Sequence, residues 1–325
     1  MGSKTPISTS FNLPNGEEVT LETGKLATQA HGSCVVKIGK TMLFCSVVSA
    51  KEVREGQPFF PLSVDYQEKF AAAGRIPGNF FKRETRLSDY EVLTSRLVDR
   101  AIRPLFPDGY MNDTQVIINL ISGEEDRLPD AYTALAASTA LSVSDIPWAG
   151  PISEVRVAKV DGEYVVNPNR EALEDATLEI IVAATIDDVM MVEGEAKECQ
   201  EQELIEAIKI GHEAIKIQCQ AQLKLAELVG EKALNKREIV EEEVDEDLYN
   251  EVKSFSADKI LEISRAALDK MSRKEGYTDI KESLDEKLLE EKGEEFVEEN
   301  GEKISKYFDK IKKEIIREMV LSEGR

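Results

Sequence analysis

Between Gly74 and Phe106 the sequence collects residue types that together could hold a flexible polyanion. The run Gly74-Arg75-Ile76-Pro77-Gly78-Asn79-Phe80-Phe81-Lys82-Arg83-Glu84 sets two aromatic rings beside two cations. Its glycines and proline oppose regular structure. Ring faces accept unstacked bases and cations neutralise phosphates, the pairing that single-stranded nucleic acid needs. Arg86 follows, and then Arg96, Arg100 and Arg103 recur at spacings of four and three. On a helix these three share one face. A planar guanidinium can bind two phosphate oxygens at once, so such a row suits successive backbone phosphates. Phe80, Phe81, Lys82, Arg83, Arg86, Arg96, Arg100 and Arg103 are therefore the candidate binding set. The competing account is a surface turn followed by a helix whose arginines pair with surface carboxylates.

The elements that must position these side chains are legible from the same stretch. Ser88-Asp89-Tyr90-Glu91 fits a capping box, which predicts a helix from near Asp89 until Pro104 stops it, with Leu93 and Leu97 turned inward. The preceding 65 or so residues read as strands at 19–23, 27–30, 34–38 and 42–48 in an antiparallel meander, and 59–66 as a strand leading into the loop. After Pro104 come a strand at 114–121 and a small-residue helix from Pro129 to about Val143. A hairpin around Asp161-Gly162, a second strand pair at 178–184 and 189–192, and a long amphipathic helix from Gln200 to about Leu228 follow. This order predicts an α/β (α+β) domain with a mixed sheet and packed helices over residues 1–235. From Lys236 to Arg325 prolines vanish and apolar residues recur at helical spacing: Leu248, Val252, Phe255; Ile260, Ile263, Ala267, Met271; Leu284, Leu288, Leu289; Ile304, Phe308, Ile311, Ile315, Met319. That predicts an all-α bundle with acidic outer faces.

Composition sets limits. With 325 residues and a net charge of −22, the chain as a whole repels polyanions and anionic membrane surfaces, so any nucleic-acid contact must be a local basic patch. From Gln67 to Pro104 the balance does reverse. Cys34, Cys45, Cys199 and Cys219 are scattered through apolar patterns without a CxxC, so they are expected as reduced, buried thiols and not as a zinc site or a disulfide framework. His31 and His212 are single and far apart, which favours packing or surface roles. No apolar run suggests a signal or a membrane span, so a cytoplasmic protein is expected. Glu124, Glu125, Asp126 and Asp130 crowd the span 122–130. A solvated loop or a contact between domains is expected there rather than a magnesium site, and 238–247 reads as an acidic linker.

At this point the residues resemble a known family. Phe60-Pro61-Leu62-Ser63-Val64-Asp65-Tyr66-Gln67-Glu68-Lys69, the Gly78 to Glu84 segment, Leu93 through Pro107 and Val189-Met190-Met191-Val192-Glu193-Gly194-Glu195-Ala196 all look like bacterial polynucleotide phosphorylase (polyribonucleotide nucleotidyltransferase), over its first RNase PH-like core and its all-helical domain. The resemblance implies a homotrimeric, 3′-to-5′ phosphorolytic exoribonuclease active in mRNA degradation, in which phosphate attacks the terminal phosphodiester of RNA and releases a nucleoside diphosphate. It also implies that Phe80, Phe81, Lys82 and Arg83 match an aromatic-basic loop constricting the RNA channel, and that Arg103 and its neighbours support RNA near the active site. Active cores of the family carry a Gly- and Ser/Thr-rich phosphate loop where this chain has Ser122-Gly123-Glu124-Glu125-Asp126-Arg127-Leu128-Pro129-Asp130, whose carboxylates repel phosphate. The implied magnesium (or manganese) and catalytic groups belong to a second core, so this stretch is expected to supply RNA channel and scaffold, with no catalytic residue and no metal of its own. Two alternatives stay open: a non-catalytic RNA-binding ring subunit, and a protein-interaction scaffold.

Overall fold

Alternating apolar residues build the first layer. In the computed structural model, which describes residues 5–54, 57, 59–78, 84, 86–239 and 244–324, β1 (Ile7–Asn12), β2 (Glu18–Thr23), β3 (Gly32–Ile38) and β4 (Thr41–Ser49) form the expected antiparallel meander. The β1 strand was missed by sequence reasoning because Ser8, Thr9 and Ser10 dilute its apolar signal. Residues 27–30 form a turn instead of a strand, with Ala27 at φ +46° and the Ala30 N–H bonded to the Ala27 carbonyl. β5 (Leu62–Glu68) starts after Pro61, and β6 (Thr114–Ser122) inserts between β5 and β4, parallel to the first and antiparallel to the second. The six-stranded sheet, in order β1-β2-β3-β4-β6-β5, is therefore mixed.

The parallel β5–β6 pair needs a crossover, and α1 (Asp89–Ile102) supplies it. α2 (Thr133–Ser142) is buried along its whole length, because its alanines and serines permit close approach to β3 and β4. Gly32 marks the tightest point: a Cβ there would lie 1.9 Å from the Ala140 carbonyl oxygen.

A second, four-stranded antiparallel sheet runs β10 (Val189–Ala196), β9 (Leu178–Ala184), β7 (Ser153–Val160), β8 (Glu163–Val166). The short α3 (Arg170–Leu173) precedes β9, and α4 (Glu201–Val229) covers the sheet, with α5 (Glu231–Leu234) as its coda. Val155, Val157, Ile180 and Val182 pack there against Ala207, Ala214, Ile215 and Cys219 of α4.

Two compact units emerge, Met1–Val240 and Glu241–Arg325. The composition changes at Lys236, yet Lys236 and Arg237 stay tied to the first unit. The Lys236 ammonium donates to the Ser144 carbonyl at 2.6 Å, at the end of α2, and Arg237 donates to Asp145 at 2.9 Å. The second unit consists of α6 (Glu246–Arg265), α7 (Lys270–Lys292) and α8 (Glu294–Glu323) around Leu248, Val252, Ile260, Leu284, Leu288, Ile304, Phe308 and Ile311. Met271 and Leu289 are exposed, and Ala267 turns the chain at φ +51°, so these three leave the predicted stripes.

Candidate nucleic-acid interface

The aromatic-basic segment leaves β5 and returns to α1. Phe80, Phe81, Lys82 and Arg83 lie outside the described residues, so the geometry concerns the stem that carries them. After β5 the chain makes a single 3-10 turn, Phe70–Ala73, closed by Gly74 at φ +65°, where a residue without Cβ meets no strain. The turn is seated on β6: the Lys69 N–H donates to the Leu120 carbonyl, and the Gly123 N–H to the Ala72 carbonyl. The returning limb is tied to the outgoing one. Glu84 accepts from the Phe70 N–H at 2.9 Å with its carboxylate and from the Gln67 side chain with its carbonyl.

Helix α1 opens with the expected capping box, Ser88 and Glu91 bonding reciprocally. Its buried face is Glu91, Thr94, Ser95, Val98, Ala101 and Ile102. Leu97 is half-buried as expected, whereas Leu93 is 59 % exposed: the inward stripe runs one position off the predicted one, because small Thr94 and Ser95 let the helix sit close to β5.

The three arginines stand in three different states. Arg103 is spent internally, holding Asp99 through two nitrogens at 2.6 and 2.9 Å and donating to the Phe60 and Leu62 carbonyls at 3.2 and 3.0 Å. It ties the end of α1 to the start of β5. Arg100 pairs with Glu193 of β10 while remaining half exposed. Arg96 is exposed and, among the described residues, forms no ion pair; the same holds for Arg86. Arg96 and Arg100 thus form a ridge between two open grooves. One, of about 410 Å³, is floored by Val64, Asp65 and Leu87; the other, of about 390 Å³, by Leu93, Ile181 and Gly194. A third cleft of about 560 Å³ lies at the loop stem, where Lys69, Phe70, Arg75 and Arg86 share the wall with Glu68.

Of the carboxylates at 122–130, Glu125 and Asp126 are exposed, as a solvated loop would have them, but Glu124, Asp126 and Asp130 are engaged by partners within the domain. Glu124 accepts from the Lys40 N–H at 3.2 Å and from Thr41, and pairs with Arg127; against the opposing effect of burial, the Lys40 amide first and Arg127 next hold its carboxyl below the usual range. Asp126 receives the Asn169 amide and the Glu171 N–H at the start of α3. Asp130 is buried and paired with Arg156, which also holds Glu179. Carboxylates committed to cations and amides in this way do not fit a magnesium ion, which needs free oxygen ligands. An incoming phosphate meets the same obstacle. The natural anion position at the start of α2 is filled by Glu154, whose Oε1 accepts from the Thr133 hydroxyl at 2.7 Å and the Ala134 N–H at 2.8 Å. Burial pushes its carboxyl up to about 7. Sequence reasoning passed over this network, although the charged alternation Glu154-Val155-Arg156 within an apolar run was its signal.

Comparison with known proteins agrees with the architecture. Residues 16–147 match the 3′ exoribonuclease family, domain 1, and residues 150–214 match domain 2 of that family. Residues 247–325 match the polyribonucleotide nucleotidyltransferase RNA binding domain. The polyribonucleotide nucleotidyltransferase of Parabacteroides distasonis is 48% identical over 320 residues, covering 98% of this chain and 42% of that protein. That of Bacteroides fragilis is 48% identical over 321 residues, with 98% and 44% covered. For Cytophaga hutchinsonii the figures are 47% over 322 residues, with 99% and 44% covered. The chain thus spans 42–44% of the length of these curated relatives. The crystal structure of rice (Oryza sativa) Rrp46 superposes with a TM-score of 0.51 at 15% identity, covering 64% of this chain and 94% of that one, a likeness of fold alone. With the family domains in unbroken order along a chain nearly half identical to family members, this protein belongs to the polyribonucleotide nucleotidyltransferase family, as its first RNase PH-like core joined to its helical domain.

Proposed function

We propose that this chain is the RNA-guiding and scaffolding part of a 3′-to-5′ phosphorolytic exoribonuclease. In that reaction an oxygen of inorganic phosphate bonds to the phosphorus of the last phosphodiester. The bond from that phosphorus to the 3′ oxygen of the penultimate nucleotide breaks, leaving a nucleoside diphosphate and a shortened RNA with a 3′ hydroxyl. Catalysis needs a phosphate cradle and a cation to balance the charge at phosphorus. The observation that carries the reading is the contrast within one domain. The place where phosphate would sit is plugged by Glu154 and by the Asp130–Arg156 pair, whereas Arg96, Arg86 and the stem of the aromatic-basic loop face solvent. Phosphate, nucleoside diphosphates and the magnesium or manganese ion belong, on this reading, to a second core. The assembled enzyme is a cytoplasmic homotrimer whose loops meet around the RNA 3′ end.

The test is direct. This chain, mixed with single-stranded RNA, phosphate and magnesium, releases no nucleoside diphosphate, yet it retains the RNA with an affinity that falls steeply as salt rises. Turnover by this chain alone, or affinity indifferent to salt, would overturn the assignment.

A further inference from the structure

β5 borders the mixed sheet, with β6 on one side only. In a parallel pair alternate residues direct their amides to the neighbour, and the others point outward. The outward N–H groups of β5 at Tyr66 and Glu68 are met by side chains of α1. The Tyr66 N–H donates to the Ser95 hydroxyl oxygen at 2.9 Å, and the Glu68 N–H to Glu91 Oε1 at 2.8 Å. The spacings match: two strand residues span about 6.6 Å and four helical residues about 6 Å. Ser95 in turn donates to the main-chain carbonyl of Glu91 at 2.8 Å, which orients its hydroxyl oxygen toward the strand. The other oxygen of the same carboxylate, Oε2, accepts from the Ser88 N–H at 2.7 Å and the Ser88 hydroxyl at 2.8 Å. One buried carboxylate therefore holds the last residue of β5, where the loop departs, and the residue before α1, where it returns.

Resting on the RNA reading above, we propose that Glu91, seconded by Ser95, is the positioning residue of the RNA loop. By accepting from both the Glu68 N–H and the Ser88 N–H, it holds the two ends of the segment 69–88 to one carboxylate. A carboxylate suits this task because it can accept from both limbs at once with charge-assisted strength, which no neutral side chain of similar length does.

The experiment uses the full chain and two readouts: the rate of tryptic cleavage between residues 75 and 86, and the affinity for a labelled oligoadenylate. Glu91→Ala is expected to speed cleavage and weaken binding, each by about tenfold, the equivalent of one lost charge-assisted hydrogen bond. Ser95→Ala, the milder variant should Glu91→Ala not fold, moves both in the same direction. Glu91→Gln keeps one oxygen for the Glu68 N–H but turns a donor toward the Ser88 N–H, so it recovers only part of each loss. Ser88→Ala removes the helix cap and one hydroxyl bond to Glu91 but keeps the Ser88 N–H in the clamp; it lowers the unfolding midpoint while leaving both readouts within about twofold. Equal effects of Ser88→Ala and Glu91→Ala, or no effect of Glu91→Ala, would overturn the proposal. If Glu91→Ala opens the loop to trypsin but the unmodified chain never holds oligoadenylate, the RNA reading fails and the clamp stands.

Discussion

Glu154 illustrates how a single residue decides what a domain can do. It sits fully buried with Oε1 capping α2 and Oε2 without a partner, and burial raises its carboxyl to about 7. An acid whose folded-state affinity for the proton exceeds its unfolded one stabilises the fold while protonated. That contribution is fully present below the ordinary carboxylate range and is lost as pH rises through about 7, on the order of 3 kcal/mol. Denaturant unfolding of Glu154→Gln should accordingly show a smaller loss of stability between pH 5 and pH 8 than the parent, with the variant the more stable of the two at pH 8. Arg96 and Arg103 make a complementary pair. Arg96→Ala should leave the unfolding midpoint unchanged and lower the salt slope of RNA binding by about one. Arg103→Ala should cost about 1–3 kcal/mol of stability, because Asp99 and two carbonyls lose their donor, with little change in that slope. The sequence placed both arginines on one face; it could not say which had spent its donors, since the Phe60 and Leu62 carbonyls are some 40 residues away.

At the level of elements, local chemistry was a good guide wherever the deciding partner was near in the chain. The capping box, the hairpin at Asp161-Gly162 and the breadth of α4 were all legible because their determinants lie within a few residues. Leu93 was misplaced because the inward face of α1 is selected by β5, where two backbone amides call for Glu91 and Ser95. Polar residues were thereby chosen for the side that periodicity assigns to leucine. Close packing at Gly32 follows the same rule of distant partners. Gly32→Ala would push a methyl group into the Ala140 carbonyl, so α2 must lift from β3. The expected loss is about 3 kcal/mol or more, read as a drop in the unfolding midpoint of the first unit.

Over the whole molecule, a net charge of −22 coexists with a binding face because the charges are sorted rather than averaged. The acid-rich span at 122–130 turns most of its carboxylates onto Arg127, Arg156 and backbone amides, while Arg86 at the loop stem and Arg96 of α1 stand exposed with no ion pair among the described residues. The helical unit has its own core, in which Leu284 and Leu288 are fully buried. Leu284→Ala should cost about 2–5 kcal/mol and shift the bundle's own transition, leaving that of the sheet domain in place. Composition announced this unit plainly, since apolar spacing in a charge-dense, proline-free stretch admits little else. The exposure of Met271 and Leu289 depended on turns that the spacing does not encode.

The side chains that answer the outward amides of β5 have one more effect. A sheet border with unanswered amides is a template for any passing extended chain, including a half-folded copy of the same protein. On this border the Tyr66 and Glu68 amides are already taken by a helix, so a nascent chain emerging beside the first unit finds two rungs fewer to grasp at the end of β5.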